Sequence, residues 1–276
     1  MSISPATVVQ QQLDAYNAHD LSAWLATYAP DAKQFALHGG YLAHGHAQMS
    51  ERMRERFTEP DLFAHLVTRT VMGNVVVDLE LVTRNLPNGL GTVEMLCVYE
   101  VQDGLITQAS FVMEQIKPAK DGDIIPINPA SRAAQSLLAQ LQGYLATLYP
   151  TGNPCQALPP AAESATATWF GCVVGGVIVG AGAVRIEVGC TAHAEIEHVF
   201  MQEDQRGNGY ARALLARLEQ YLQEQHIGVA RLKTSAAQTA ALALYQDLGY
   251  RRCAAFAAAV PNVIFMEKAL SQAELG

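Results

Sequence analysis

Residues 205–211 read Gln205-Arg206-Gly207-Asn208-Gly209-Tyr210-Ala211, and they run into a segment whose apolar positions, Leu214, Leu215, Leu218, Tyr221 and Leu222, repeat at helical spacing. Such a junction can hold an anion. Glycine takes backbone conformations closed to other residues, so the chain at Gly207 and Gly209 can lie close to a ligand. The first-turn amides of the helix then have no partner inside it, and the helix dipole favours negative charge at that end. A tight turn with a cap is the plainer alternative. Two other phosphate motifs do not fit: a dinucleotide fingerprint needs glycine where Arg212 stands, and a P-loop needs a Gly-Lys-Ser/Thr run.

The elements around this turn carry further reactive side chains. A strand is expected over 194–201, Ala194-Glu195-Ile196-Glu197-His198-Val199-Phe200-Met201. Regular alternation would put Glu195, Glu197, Val199 and Met201 on one face and Ile196, His198 and Phe200 on the other. Beyond the helix come a strand over 229–234, a helix over 239–248 containing Tyr245, and a closing strand over 263–268. Upstream, Leu137, Leu138, Leu141, Leu145 and Leu148 mark a helix that ends at Leu148-Tyr149-Pro150. The stretch 164–184 has no charge, and about 20 apolar residues suffice to span a bilayer. Gly175-Gly176, flanked by β-branched and aromatic residues, favours a hairpin over a membrane helix.

Taken in order, three segments resemble the GNAT family of acetyl-CoA-dependent N-acetyltransferases over about residues 132–270: the strand 194–201 leading into Arg206-Gly207-Asn208-Gly209-Tyr210-Ala211, the helix Ala241-Leu242-Ala243-Leu244-Tyr245-Gln246-Asp247-Leu248-Gly249-Tyr250, and the strand Phe265-Met266-Glu267-Lys268. The resemblance implies acetyl-CoA as co-substrate, with its pyrophosphate on residues 206–211. It also implies a splayed central strand whose backbone near Val199, Phe200 and Met201 pairs with pantetheine and polarises the thioester. Glu195 matches the glutamate that several such enzymes use as general base. Glu197 is a second candidate, and for both a salt-bridged strand edge is the alternative. Tyr245 stands where the family places a tyrosine near the coenzyme sulfur, with core packing beside Leu244 and Leu248 as the alternative. Gln238 replaces the usual asparagine at the start of that helix and is a further coenzyme contact.

The first half orders its elements differently. Helical spacing at Val8, Val9, Leu13 and Tyr16 breaks at Asn17-Ala18-His19-Asp20, and Asp20 caps a second helix expected to carry Trp24, Leu25 and Tyr28 before Pro30 stops it. An extended pair around Phe35 and Leu42 and a charged helix over 48–57 precede four strands, expected over 63–72, 75–82, 92–101 and 105–116. Helices followed by a meander argue α+β. With Ala15-Tyr16-Asn17-Ala18-His19-Asp20, Gly73-Asn74-Val75-Val76 and Tyr99-Glu100-Val101-Gln102-Asp103-Gly104-Leu105-Ile106, residues 5–117 resemble a SnoaL-like domain of the nuclear-transport-factor-two superfamily. That implies a cone-shaped α+β barrel, a curved antiparallel sheet around helices with a pocket at its open end, which often dimerises through its sheet. Ketosteroid isomerases of the superfamily use a Tyr and two Asp; Gln12, Ala36 and Cys97 occupy those places here. His38, His44, His46 and His65 suggest pocket-rim or surface histidines, since no carboxylate spacing completes a metal site. Asp78 and Glu80 are open between structural and catalytic roles.

The organisation expected is therefore a SnoaL-like domain over 1–117, a linker over 118–131 and a mixed-sheet GNAT domain over 132–276. The net charge of −8 disfavours nucleic acid, because no basic run offsets it, and most of it lies in residues 1–117, with 7 basic and 13 acidic side chains. The five cysteines lack Cys-x-x-Cys spacing, and the N-terminus has no basic or long apolar run, which points to the cytoplasm. The partners expected are a small-molecule amine, no nucleic acid, no membrane, no metal, and a second copy of the chain bound through the first domain. Two other functions stay open: a SnoaL-like isomerase, dehydratase or hydrolase with an appended acetyltransferase, and a non-catalytic sensor of acetyl-CoA or another small molecule.

Overall fold

A computed structural model describes residues 3–37, 39–149, 167–186, 192–256 and 262–270. The chain divides into two compact units, residues 1–119 with 126–128, and residues 120–125 with 129–276.

In the first unit, α1 (Pro5–Asn17) starts where Ser4 Oγ accepts the Thr7 amide and Pro5 fills the first turn. The Asp20 carboxylate accepts the Ala23 amide at 2.9 Å and caps α2 (Leu21–Ala26). The helix is shorter than its sequence suggests. The Thr27 hydroxyl turns back to the Trp24 carbonyl, and Tyr28 opens strand β1 (Tyr28–Ala36) instead of closing α2. Pro30 falls within a register break between β1 and its neighbour, where its missing N–H removes no ladder bond.

After β2 (Tyr41–His44) and α3 (Gly45–Arg56) come β3 (Phe63–Met72), β4 (Val75–Leu86), β5 (Gly89–Gln102), β6 (Leu105–Met113) and β7 (Lys117–Pro118). The α+β order holds, but the sheet is open and not wholly antiparallel. Its order is β2-β1-β6-β5-β4-β3, with β7 on β5, and β1 runs parallel to β6. A meander dictates antiparallel pairing only between hairpin neighbours, and β1 reaches β6 from the helices rather than through a hairpin. The four-residue β2 continues into α3, so β2 and β3 stay as separate edges. Gly91 allows β7 to dock: a Cβ there would lie 2.9 Å from the Lys117 carbonyl oxygen. Val8, Val9, Trp24, Tyr28, Met49 and Ile106 form the buried core between helices and sheet.

In the second unit, β8 (Ile124–Pro126) and α4 (Arg132–Leu148, capped by Ser131) precede β9 (Thr168–Val174), β10 (Val177–Arg185) and β11 (His193–Met201). Then follow α5 (Tyr210–Glu224), β12 (Val229–Ser235), α6 (Thr239–Asp247), β13 (Arg251–Arg252) and β14 (Val263–Ala269). The sheet order is β13-β14-β12-β11-β10-β9-β8, mixed because β11 and β12 are parallel. The uncharged stretch does form a hairpin: Gly175 and Gly176 both have positive φ, as a two-residue turn between twisted strands requires. Among the described residues no helix is long and apolar enough to cross a membrane. The α5 leucines 214, 215, 218 and 222 are fully buried against β9, β10 and β11. Gly182 permits that contact, since a Cβ there would stand 3.0 Å from the Leu218 side chain.

Candidate active site

The central strands part where the chemistry is expected. β11 pairs with β12 from His193–Val229 to Ile196–Leu232 and no further, whereas β12 stays on β14 as far as Ser235–Val263. Residues 197–201 thus present backbone groups on an edge that β12 has left. The Tyr149 hydroxyl, at the end of α4, hydrogen-bonds Ser235 on the departing strand.

The same stretch of β11 is bulged. Ala183 of β10 pairs with Glu197 and Ala181 with Phe200, so one extra residue is accommodated, and His198 takes a left-handed φ of 55°. This resets the alternation. Glu195, Glu197 and Phe200 share one face, while Ile196 and Val199 pack toward the α5 leucines and Met201 against Cys172 and Val179. The expected grouping of the two glutamates with Val199 and Met201 is corrected by that inserted residue. His198 stacks on Trp169 with ring centroids 5.2 Å apart and lies 4.0 Å from Glu197. Burial lowers its pKa, which favours a neutral ring.

Both glutamates are held by cations. Arg185 Nη2 lies 2.8 Å from Glu195 and 2.6 Å from Glu197, and Lys233 Nζ lies 2.6 Å from the other Glu195 oxygen. Burial raises the Glu195 pKa; the Lys233 hydrogen bond opposes this and the Glu197 charge adds to it. A half-buried carboxylate made more basic in this way, beside an open strand edge, can accept a proton. Arg185 and Lys233 were not singled out in the sequence. Their role depends on cross-strand register, and the only signal was a basic residue in each strand flanking two inward glutamates.

At the turn, Gly207 and Gly209 have φ of 82° and 83°, and a Cβ on either would meet nothing within 4 Å. The space in front of the backbone is open. Gly209 caps α5 without a side-chain bond, and the first amides bonded within the turn are those of Arg212 and Ala213, to the Gly209 carbonyl. The amides of residues 207–211 form no hydrogen bond among the described residues. Arg206 pins the turn to β11, its Nε donating to the Met201 carbonyl at 3.1 Å and its guanidinium lying over Tyr144 and Phe200. Asn208 donates to the Gln205 carbonyl, and Tyr210 begins α5 beside Gly122.

Tyr245 is buried in the unit's core, edge-on to Tyr250 at 5.9 Å. Gln238 precedes α6 and accepts a hydrogen bond from the buried Thr234 hydroxyl, tying the helix start to β12. In the first unit, Gln12, Ala36 and Cys97 all line one cavity. His46 sits on α3 with its Nε2 3.0 Å from the Tyr28 carbonyl, and His44 stands at the helix cap; His38 lies outside the described residues. Among the described residues no group of three or more potential metal ligands comes together.

Two family models match the chain: the Acetyltransferase (GNAT) family over residues 139–250 and the SnoaL-like domain over residues 9–109. The chain carries a GNAT domain. Its GNAT domain follows a SnoaL-like domain. An IAA acetyltransferase of Azospirillum brasilense is 29% identical over 146 residues, 52% of this chain and 94% of that protein. A solved structure from Klebsiella pneumoniae, designated an acyl-CoA N-acyltransferase, is 30% identical and covers 54% of this chain and 97% of its own, with a TM-score of 0.45. On the SnoaL-like side, an NTF2-like protein of unknown function from Burkholderia pseudomallei is 20% identical and covers 40% of this chain and 90% of its own, with a TM-score of 0.37. The GNAT domain makes the protein an acyltransferase that draws on an acyl-CoA.

Proposed function

We propose that the GNAT domain moves the acetyl group of acetyl-CoA to the amine of a small molecule. The observation that carries this reading is the pairing of a free β11 edge at residues 197–201 with five unbonded amides at residues 207–211, on consecutive stretches of chain. The amides and the α5 N-terminus receive the pyrophosphate, with Arg206 holding the turn in place. Pantetheine lies along the free edge, and a backbone N–H near Val199, Phe200 or Met201 polarises the thioester carbonyl.

Glu195 takes a proton from the acceptor ammonium, directly or through one water. The amine nitrogen attacks the carbonyl carbon, the tetrahedral intermediate expels the thiolate as the C–S bond breaks, and the proton the nitrogen then sheds reaches the sulfur, which the Tyr245 hydroxyl hydrogen-bonds. A coenzyme thiol with a cysteine-like pKa is about 1.5 units more acidic than an ordinary tyrosine, so hydrogen bonding is the smaller demand on Tyr245. Glu197 shares Arg185 with Glu195 and serves chiefly to place it. Gln238 keeps its Oε1 on the Thr234 hydroxyl and contacts the coenzyme through its Nε2.

We place the enzyme in the cytoplasm as a dimer formed through the SnoaL-like sheet. Exposed Val67, Val71 and Met72 on β3 and the free thiols of Cys97, Cys172 and Cys253 support this reading. Light scattering of the purified chain gives the mass that decides on the dimer. A thiol-release assay with acetyl-CoA and a panel of small amines tests the activity. Acetylated product with at least one amine is expected, and coenzyme binding without turnover on any amine would favour a sensor.

A further inference from the structure

The first unit encloses a cavity of about 290 Å³ between its helices and the inner face of its sheet. Leu13, Met53, Val82, Met95 and Phe111 give it an apolar lining. Three arginines also reach its wall. Arg56 and Arg84 are both paired with Glu59, at 3.1 and 2.7 Å. Arg52 has no carboxylate partner among the described residues; its Nη1 donates to the neutral Gln34 side chain at 3.1 Å. Burial, then the nearby Arg56 charge, lower its pKa, the direction expected of a cation short of an anion.

The polar groups beside Arg52 are donors without acceptors. The Tyr28 and Trp24 rings are tilted against each other with centroids 4.7 Å apart, and the Tyr28 hydroxyl and Trp24 Nε1 are buried without a hydrogen-bond partner. Gln34 is near enough to the Tyr28 hydroxyl to bias its ionisation but does not meet hydrogen-bond geometry with it. Burial keeps Tyr28 protonated, hence a donor. Glu80, the carboxyl on the same inner face, forms no ion pair among the described residues and does not neutralise Arg52. Those two donors are closed off from the chamber, but an uncompensated guanidinium on an apolar wall favours an anion from outside the chain.

We propose that this cavity binds a small monocarboxylic acid with an apolar or aromatic body, its carboxylate received by Arg52. A carboxylate matches the planar guanidinium fork. A dianionic phosphate would carry more charge into the apolar lining than one arginine offsets. The site belongs to the SnoaL-like domain alone and stands whether or not acetyl transfer proceeds as described.

Calorimetry on the full chain with 2-naphthoate and its neutral counterpart 2-naphthamide tests the assignment. The acid is expected to bind one to one and at least tenfold more tightly than the amide. Arg52→Gln should remove that preference by weakening the acid and leaving the amide unchanged, and Arg52→Lys, which keeps the charge, should restore part of it. Equal affinities for acid and amide, no heat from either at millimolar concentration, or an Arg52→Gln variant that still prefers the acid would each overturn the proposal. So would equal loss of both ligands in Arg52→Gln, which would mark Arg52 as a structural residue.

Discussion

Glu80 offers a quantitative test of how the SnoaL-like domain is built. Its side chain is nearly fully buried on the inner face of β4, and burial together with the neighbouring Asp78 charge lifts its pKa from 4.5 to about 7. Asp78 itself is held by Arg69 through two bonds of 2.7 and 2.6 Å, which leaves Glu80 to bear the cost of the shared face. A raised folded-state pKa means that the fold binds the proton more tightly than the unfolded chain does. The stability it contributes is therefore present below pH 4.5 and lost as pH rises through about 7. At about 1.4 kcal/mol per pH unit, the ionised carboxylate destabilises the domain by about 3 kcal/mol above pH 8 and by about 1 kcal/mol at pH 5. Glu80→Gln keeps the shape and removes the charge, so it should stabilise the domain by those amounts. Of the two tryptophans, Trp24 lies in this unit and Trp169 in the other. Urea unfolding followed by Trp24 fluorescence in a Trp169→Phe background reads the domain by itself. A gain that is the same at pH 5 and pH 8.5, or absent at both, would refute the reasoning.

Three further outcomes follow from the second unit. Lys233→Met removes a cation that lowers the Glu195 pKa, so the acid limb of the kcat/KM profile should move to higher pH; a limb that stays in place would take Glu195 out of the base role. Tyr245→Phe should lower kcat more than it changes KM in steady-state thiol release, and unchanged kcat would leave Tyr245 a core residue packed on Tyr250. Leu218→Ala, at a fully buried contact between α5 and Gly182, should cost about 2–5 kcal/mol in urea unfolding read through Trp169 fluorescence.

Features carried by local sequence were legible before any coordinates. The Arg206–Ala211 turn, the α5 apolar stripe, the Gly175-Gly176 hairpin and the full span of β3 depend on neighbours a few residues apart. Features fixed across strands were not. The inserted residue at His198 shows only when β11 is laid against β10, and it decides which side chains accompany Glu195. The same holds for the Arg185 and Lys233 contacts, for the parallel β1–β6 pair, and for the end of α2, where Tyr28 is drawn into the sheet against Trp24. In the sequence Glu80 stays open between structural and catalytic roles and Arg52 reads as an ordinary charged residue, because neither shows the cavity that both line.

Coenzyme binding at the turn tests the central claim most directly. Titration calorimetry of acetyl-CoA into the full chain should give one site per chain, and Arg206→Ala combined with Gly209→Asp should abolish it. The paired change puts a carboxylate among the amides at residues 207–211 and releases the turn from Met201. Undiminished acetyl-CoA binding by a folded double variant would contradict the account.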